Sequence, residues 1–189
     1  MKCAIFLAEG FEPCEALITV DILRRGQVLI DTVAIGDDLL VKSSQKVVIQ
    51  ADKLFAEIDP ASYDVLIFPG GKLGTQNLEA FAPVVEAMKS HFDNGKLTCA
   101  ICAAPSILGH QGMLKGRKYT CFPSFDDASY GGCFMQELAV KDGNLITGRG
   151  MGATVEFARA ILAELVDEEV MRKVEYGMQY EHSFRTLSA

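Results

Sequence analysis

The sequence predicts an α/β sandwich in which helices cover both faces of a mainly parallel sheet. Short, almost continuously apolar segments alternate along the chain with segments of helical periodicity. Strands buried on both faces of a parallel sheet have this apolar character. The 189 residues are 49% hydrophobic and 23% charged, a composition that predicts one domain over residues 1–189 with a full-sized core.

The amino-terminal half begins with a predicted buried strand, Lys2–Ala8, followed by a helix, Pro13–Arg25. Glu12 precedes this helix and Gly26 ends it, and both residue types are common at such positions. A polar Ser-Ser-Gln-Lys centre predicts that residues 39–50 form a hairpin. The other predicted elements of this half are a strand at 28–36, a strand at 64–71 broken by Pro-Gly-Gly, and a helix at 77–92 that ends before Asn94-Gly95.

The carboxy-terminal half continues the alternation. Its predicted elements are a strand at 96–101, a helix at 105–114, a short strand at 118–122, a strand pair around Asp142-Gly143, and helices at 153–166 and 168–180. In parallel α/β sheets, ligands bind beyond the carboxyl ends of the strands. Three unusual segments fall at those ends, namely 9–15, 69–71 and 102–104, so we expect them to form one site.

Charge and cysteine content exclude several classes of partner. The net charge of −7 gives no basic surface for nucleic acid or an anionic membrane. No apolar segment approaches the roughly 18 residues of a membrane span, and the short apolar stretch after Met1 does not have the pattern of a signal peptide. The six cysteines are therefore interpreted as reduced thiols of a cytoplasmic protein.

Cys102 is the first candidate for a reactive residue. The apolar segment before it ends on this cysteine, and Ala103-Ala104-Pro105 passes directly into a predicted helix. A thiolate at a helix start is stabilised by backbone N–H groups and the helix dipole, so we expect the pKa of the Cys102 thiol to be lowered. The alternative is a small buried hydrophobe, the usual environment of a free cysteine.

The remaining cysteines and histidines do not form a recognisable site. Cys99 and Cys102 have a C-x-x-C spacing, but Cys99 lies within a strand, where residues three apart point to opposite faces. The three histidines, His91, His110 and His182, have no zinc-binding pattern, so no metal site is predicted. "GRGMGA" at 148–153 resembles a dinucleotide loop only weakly and is better interpreted as a close-packing turn before a helix.

Glu15 is the second candidate, because it lies in the first turn of the first predicted helix and on its apolar face. Acidic residues are common in first turns for electrostatic reasons alone, which is the simpler interpretation for Glu9 and Glu12. A carboxyl on the inner face should instead have a raised pKa. In its protonated form Glu15 could donate a hydrogen bond to a thiolate.

Four motifs together resemble the DJ-1/ThiJ/PfpI superfamily, and most closely its DJ-1/YajL-like branch. They are "AEGFEPCEA", "YDVLIFPGG", "AICAAP" and "TGRGMGAT", in this order and spacing. The resemblance implies a flavodoxin-like sandwich, a homodimer, Cys102 as the reactive cysteine and Glu15 as its carboxylic partner. It also implies that backbone N–H groups of Gly70, Gly71 and Ala103 face the sulfur or an oxyanion formed there.

Some positions depart from the pattern of the family. Phe122 stands where members of the DJ-1 type have a histidine near the cysteine, and Gln45 stands where they bring an arginine from the partner subunit. Peptidases of the PfpI type have a histidine directly after the cysteine, where this chain has Ala103. A peptidase is therefore not expected.

The resemblance implies two classes of function that use the same cysteine. One is a cofactor-independent enzyme of glyoxalase or deglycase type, acting on small 2-oxoaldehydes such as methylglyoxal or on their adducts, in defence against carbonyl and oxidative stress. The other is a non-enzymatic stress protein with an oxidation-sensing or chaperone-like role. The motifs alone do not choose between them.

Overall fold

The strands and helices follow the alternation predicted from the sequence, within residues 1–180, which this computed structural model describes. The strands are β1 (Lys2–Leu7), β2 (Leu29–Ala34), β3 (Leu40–Lys42), β4 (Val48–Gln50), β5 (Lys53–Leu54), β6 (Val65–Phe68), β7 (Leu97–Ile101), β8 (Lys118–Tyr119), β9 (Cys133–Phe134), β10 (Ala139–Asp142) and β11 (Leu145–Gly148). The helices are α1 (Pro13–Arg25), α2 (Lys72–Ala80), α3 (Ala82–Asp93), α4 (Pro105–His110), α5 (Thr154–Ala163) and α6 (Glu168–Gly177).

Seven strands form the central sheet, in the order β10-β11-β7-β6-β1-β2-β5. Neighbouring strands are parallel except at the edge, where β10 runs antiparallel to β11. The predicted hairpin is present as the separate antiparallel pair β3 and β4. This arrangement confirms the α/β sandwich of flavodoxin-like type.

Helices cover both faces of the sheet, and each face has its own apolar core. Leu23 of α1 packs with Phe157 and Leu162 of α5 on one face. On the other face, Leu78 of α2 and Met88 of α3 pack into a second cluster that also includes α4. Because β1, β6 and β7 are almost completely buried, their apolar side chains serve both cores.

The helix predicted at 77–92 is wrong in extent, because the structure has two helices there. Phe81 interrupts them with φ −90° and ψ 89°, and Pro83 lies in the first turn of α3. A proline inside a continuous helix would lack one N–H and clash with the carbonyl four residues earlier, so the helix must restart. The first of the two helices begins directly after Gly71.

Other predicted elements are shorter in the structure. Helix α4 ends at His110, and Gly112 adopts a left-handed φ of 75° before the predicted end at residue 114. Helices α5 and α6 end three residues before the predicted positions. The strand predicted at 118–122 is limited to β8. The N–H of Thr120 donates to the Thr147 hydroxyl at 2.8 Å and not to a backbone carbonyl, so the hydrogen bonds between strands do not continue beyond Tyr119. The two-residue strands β5 and β9 were not predicted, because such short segments show no periodicity.

Four loops meet at the carboxyl edge of the sheet, since β11, β7, β6 and β1 are consecutive neighbours. The chain continues from β1 to β2 on one side and from β6 to β7 on the other side. The gap between the carboxyl ends of β1 and β6 is therefore a topological switch point. The β3–β4 hairpin is tied to the loop after β1, because Gly10 N–H donates to the Lys42 carbonyl at 2.8 Å. Within residues 1–180, no helix is both long enough and apolar enough to cross a membrane.

Candidate active site

Cys102 follows β7 in a sharp turn whose backbone is held on both sides. Its φ is 65°, a left-handed conformation that is strained for a residue with a side chain. The N–H of Cys102 donates to the Gly148 carbonyl at 2.9 Å, and its carbonyl accepts from Phe122 N–H at 2.8 Å. These bonds fix the strained turn and leave the thiol half-buried above the sheet edge.

The strand-to-helix junction predicted at Cys102 is present, but the predicted stabilisation of the thiolate by the helix dipole is wrong. Helix α4 begins at Pro105 and has six residues, so Cys102 lies ahead of its first turn. The dipole effect is confined to the first turn of a helix, and a helix this short develops little of it. Any lowering of the thiol pKa must come from individual N–H groups.

Glu15 is completely buried, with a relative exposure of 0%. Glu12 caps α1 by accepting the Glu15 N–H at 2.7 Å, which sets the rotation of the first helical turn. Oε2 of the Glu15 carboxyl accepts a hydrogen bond from Gly70 N–H at 2.8 Å, whereas Oε1 has no partner. Burial raises the pKa of Glu15 to about 7, against the lowering effect of hydrogen bonds with Cys102 and Gly70.

Gly70 brings the two candidate side chains together. A Cβ added at this position would lie 2.7 Å from Cys102 Cβ and 2.7 Å from Glu15 Oε2, so only glycine fits between them. Its N–H donates to Glu15 instead of facing the sulfur as the resemblance implied. The backbone groups of Gly71 and Ala103 do act on the Cys102 sulfur.

The pKa of the Cys102 thiol is raised to about 12, contrary to the predicted lowering. Burial is the largest cause, and the charge of Glu15 and its hydrogen bond with the thiol add to it; the N–H groups of Gly71 and Ala103 act in the opposite direction. The two effects of Glu15 on the thiol pKa, through its charge and through its hydrogen bond, require an ionised carboxyl. The thiol and the carboxyl therefore titrate as one coupled pair, and a proton on Glu15 favours the thiolate.

Sequence reasoning missed the contribution of the loop after β11. Gly150 lies close to the sulfur, because a Cβ added there would be 3.9 Å from Cys102 Sγ and 3.4 Å from the Phe122 ring. This segment is the close-packing turn predicted from "GRGMGA", since a Cβ on Gly148 would clash with Ile101. The position of β11 next to β7 is the signal that places this turn at the site, and it is visible only once the strand order is known.

The two positions that depart from the family pattern differ in their relation to the site. Phe122 is 47% exposed and its ring lies beside Gly150, so it forms an apolar wall near Cys102. Gln45 is exposed in the turn of the β3–β4 hairpin.

Within residues 1–180, no side-chain hydrogen bond joins another cysteine or a histidine to Cys102 or Glu15. All six cysteines are free, and Cys99 is buried within β7. His91 contacts the Asp64 carbonyl at 3.2 Å, before the start of β6, and His110 contacts Glu79 at 2.6 Å. His182 lies outside the described residues, and within residues 1–180 no group of three or more potential ligands could hold a metal ion.

A comparison of the chain with protein families gives a match over most of its length. The model of the DJ-1/PfpI family matches residues 1–164. The chain belongs to the DJ-1/PfpI family. No individual activity follows from membership alone.

Similar proteins cover nearly the whole chain. Protein DJ-1alpha of Drosophila melanogaster is 37% identical over 186 residues, which are 94% of this chain and 85% of that protein. A DJ-1 superfamily protein from Salmonella typhimurium, solved as a cysteine-to-alanine mutant, is 36% identical with a TM-score of 0.91, covering 95% of this chain and 98% of the other. A protein of Schizosaccharomyces pombe named glutathione-independent glyoxalase DJ-1 is 27% identical over 191 residues, covering 95% of this chain and 96% of that protein.

The raised pKa of Glu15 predicts a specific pH dependence of stability. The carboxyl has a pKa of about 7 when folded, against an ordinary value of 4.5, so the folded state binds its proton more tightly. This contribution to the free energy of unfolding is full below pH 4.5 and is lost as pH rises through 7. As pH rises from 5 to 8, the free energy of unfolding of Glu15→Gln should therefore increase by about 2–3 kcal/mol relative to that of wild type, measured by urea unfolding. Glu86→Gln, which removes an exposed carboxyl, is the control. If the free energies of unfolding of wild type and Glu15→Gln changed in parallel with pH, the raised pKa of Glu15 would be contradicted.

The contact at Gly70 predicts a purely steric effect. Gly70→Ala places a methyl group against Cys102 and Glu15 and should cost about 1–3 kcal/mol in the free energy of unfolding. It should also change the alkylation rate of Cys102, measured by peptide mass spectrometry. Gly152→Ala is the matched control, because nothing lies within 4 Å of its added Cβ, and its effect should stay within about 0.5 kcal/mol. Equal stability of the two variants would show that the loop at Gly70 can move to accommodate a methyl group, and would contradict the prediction.

Proposed function

We propose that this protein is a cofactor-independent cysteine enzyme of glyoxalase or deglycase type, acting on 2-oxoaldehydes such as methylglyoxal or on their adducts. Its role would be defence against carbonyl and oxidative stress. The observation that carries the proposal is the pairing of an elbow cysteine, Cys102, with a fully buried carboxyl, Glu15, whose pKa is about 7. The glyoxalase name of the Schizosaccharomyces pombe relative supports the same reaction class.

In the first step of the proposed reaction, the Cys102 thiolate adds to the aldehyde carbon and forms an S–C bond. The carbonyl π electrons move to oxygen and give the oxyanion of a hemithioacetal. The N–H groups of Gly71 and Ala103, which act on the sulfur, are the nearest donors for this oxygen. Losing one such donor costs on the order of 10²–10³ in rate.

In the second step, a base removes the hydrogen from C1 and returns it to C2 through an enediol. The product is a thioester of the 2-hydroxy acid, and water then attacks its carbonyl, releasing the acid and the Cys102 thiol. Glu15 is suited to the proton transfer, because a pKa of about 7 leaves both protonation states populated near neutral pH. Its Oε1 has no hydrogen-bond partner, so one oxygen of the carboxyl has no competing contact when it takes up or releases a proton.

An oxidation-sensing or chaperone-like role that uses the same cysteine is the second candidate. The strained, half-buried Cys102 has backbone donors from Gly71 and Ala103 that could bind the oxygen of a sulfenate, the reversible first oxidation product of a thiol. A protonated Glu15 could donate a further hydrogen bond to such a group. This function requires reversible oxidation without turnover of a carbonyl substrate.

The proposed setting is a cytoplasmic homodimer with a small carbonyl substrate and no nucleic acid or membrane partner. Six free cysteines suit a reducing compartment. Apolar side chains are exposed on α1 and on the β3–β4 hairpin, at Leu17, Leu40 and Val48. Burial of these side chains against a second copy of the chain would remove apolar surface from water.

The proposed dimer predicts a mass of about twice 20.6 kDa in solution. Multi-angle light scattering at micromolar concentration should give this value. Leu40→Lys with Val48→Lys should shift the mass towards the monomer, because two charges would be buried in the contact. A wild-type monomer at micromolar concentration would rule the dimer out.

The proposed mechanism predicts different losses for its two residues. Glu15→Gln should keep the fold and still allow alkylation of Cys102, yet lose roughly 10²–10⁴-fold in methylglyoxal turnover, because it removes a general acid–base. Cys102→Ser should lose the activity, whereas Cys133→Ser, which changes an exposed thiol, should retain it. Full activity in Glu15→Gln would remove this carboxyl from the mechanism, and activity in Cys102→Ser would refute the enzyme. Absence of turnover in wild type would favour the oxidation-sensing role.

A further inference from the structure

Arg149 differs from the other arginines in residues 1–180 by having no charged partner. The side chains of five arginines each form an ion pair with a carboxylate, namely Arg24, Arg25, Arg117, Arg159 and Arg172. In the described part of the chain, the Arg149 guanidinium takes part in no ion pair, side-chain hydrogen bond or cation–π contact. Arg149 is nevertheless half-buried, so its charge is not simply solvated.

The backbone places Arg149 at the edge of the Cys102 site. It lies between Gly148, whose carbonyl accepts the Cys102 N–H, and Gly150, which is next to Cys102 Sγ. Its own N–H donates to the Leu138 carbonyl at 2.9 Å, which fixes the base of the side chain. Arg149 is thus attached to the same short loop that lines the sulfur.

The guanidinium charge falls beside the segment at 121–122. It lowers the pKa of the Cys121 thiol, which burial and the charge of Asp126 raise. Phe122, the next residue, donates its N–H to the Cys102 carbonyl and lies beside Gly150. The positive charge therefore lies near the segment whose N–H group binds the Cys102 carbonyl.

Asp126 is the carboxylate that shares the surroundings of Cys121 with Arg149. It is engaged instead by Ser124, whose N–H donates to Asp126 Oδ1 at 3.1 Å. A half-buried guanidinium with five donors and no acceptor, carried by the loop that lines the Cys102 sulfur, thus has unused capacity for an oxyanion. Planar guanidinium and carboxylate groups match in bidentate geometry.

We propose that Arg149 is a specificity-determining residue that binds a carboxylate of the carbonyl compound attacked by Cys102. The proposal rests on the function proposed above, because it takes Cys102 as the nucleophile. Among the 2-oxoaldehydes and adducts proposed above, it makes those that bear a carboxylate the preferred substrates. Apolar atoms between the two groups would contact Phe122.

Two alkylating reagents that differ in one charge test this assignment without turnover. In both reactions the Cys102 thiolate forms an S–C bond and iodide leaves, so any change in thiolate population cancels in the rate ratio. Iodoacetate carries the carboxylate and iodoacetamide is its neutral counterpart. The exposed thiol of Cys133 in the same protein supplies the intrinsic ratio, and peptide mass spectrometry of the full chain measures both sites.

The iodoacetate-to-iodoacetamide ratio at Cys102, divided by that at Cys133, should fall about three- to tenfold in Arg149→Gln, because a charge-assisted contact is lost. Arg149→Lys should retain part of the preference. Arg172→Gln, the same substitution on the exposed face of α6, should leave the ratio unchanged. Added salt should weaken the preference in wild type and not in Arg149→Gln.

An unchanged ratio in Arg149→Gln would overturn the proposal, as would a failure of both reagents to label Cys102 in wild type. The outcome is independent of the enzyme assay. If the ratio falls as expected while methylglyoxal turnover survives in Cys102→Ser, the carboxylate site stands and the proposed reaction fails. If Cys102→Ser is inactive and the ratio does not change, the reaction stands and Arg149 has no part in substrate selection.

Discussion

The hydrogen bond from Gly70 N–H to the Glu15 carboxyl is the interaction on which the candidate site depends. It is formed in a fully buried position, where a carboxylate without partners would be far more costly. The bond ties the start of α1 to the loop after β6, and the absence of a side chain on Gly70 lets Cys102 approach from the loop after β7. Helix rotation, loop conformation and thiol position are therefore linked through one donor and one acceptor.

The state of the pair follows from the same geometry. One carboxyl oxygen is satisfied and the other is not, and a buried acceptor without a partner costs about 1–3 kcal/mol. Protonation of Glu15 reduces this cost and supplies a donor towards the sulfur. The site can thus hold a single negative charge, shared between a carboxyl and a thiol that are too close for both to ionise easily.

The sequence was sufficient to predict which residues meet and insufficient to predict how they interact. Glu15, Gly70 and Cys102 could be placed at one edge because each follows or adjoins an apolar strand, and parallel strands end together. The pKa of Cys102 could not be predicted, because it depends on burial and on the distance to a carboxyl that is far away in sequence. The donor role of Gly70 towards Glu15, and the place of Gly150 next to the sulfur, depend on strand order and loop conformation in the same way. The break at Phe81 could have been found, since Pro83 cannot lie inside a continuous helix.

The order of strands in the sheet also determines when Cys102 acquires its environment during folding. The bond between Gly70 and Glu15 joins residues 55 positions apart, and the turn at Cys102 is held by Gly148 and Phe122. Contacts of such long sequence separation form late, because the loops that they close must first lose entropy. In a partly folded chain, the cysteine is an ordinary thiol without its carboxyl, its backbone donors or its strained turn. The environment of this cysteine is thus a property of the completed sheet, and the rate at which it is alkylated can report whether four strands from both halves of the chain have docked.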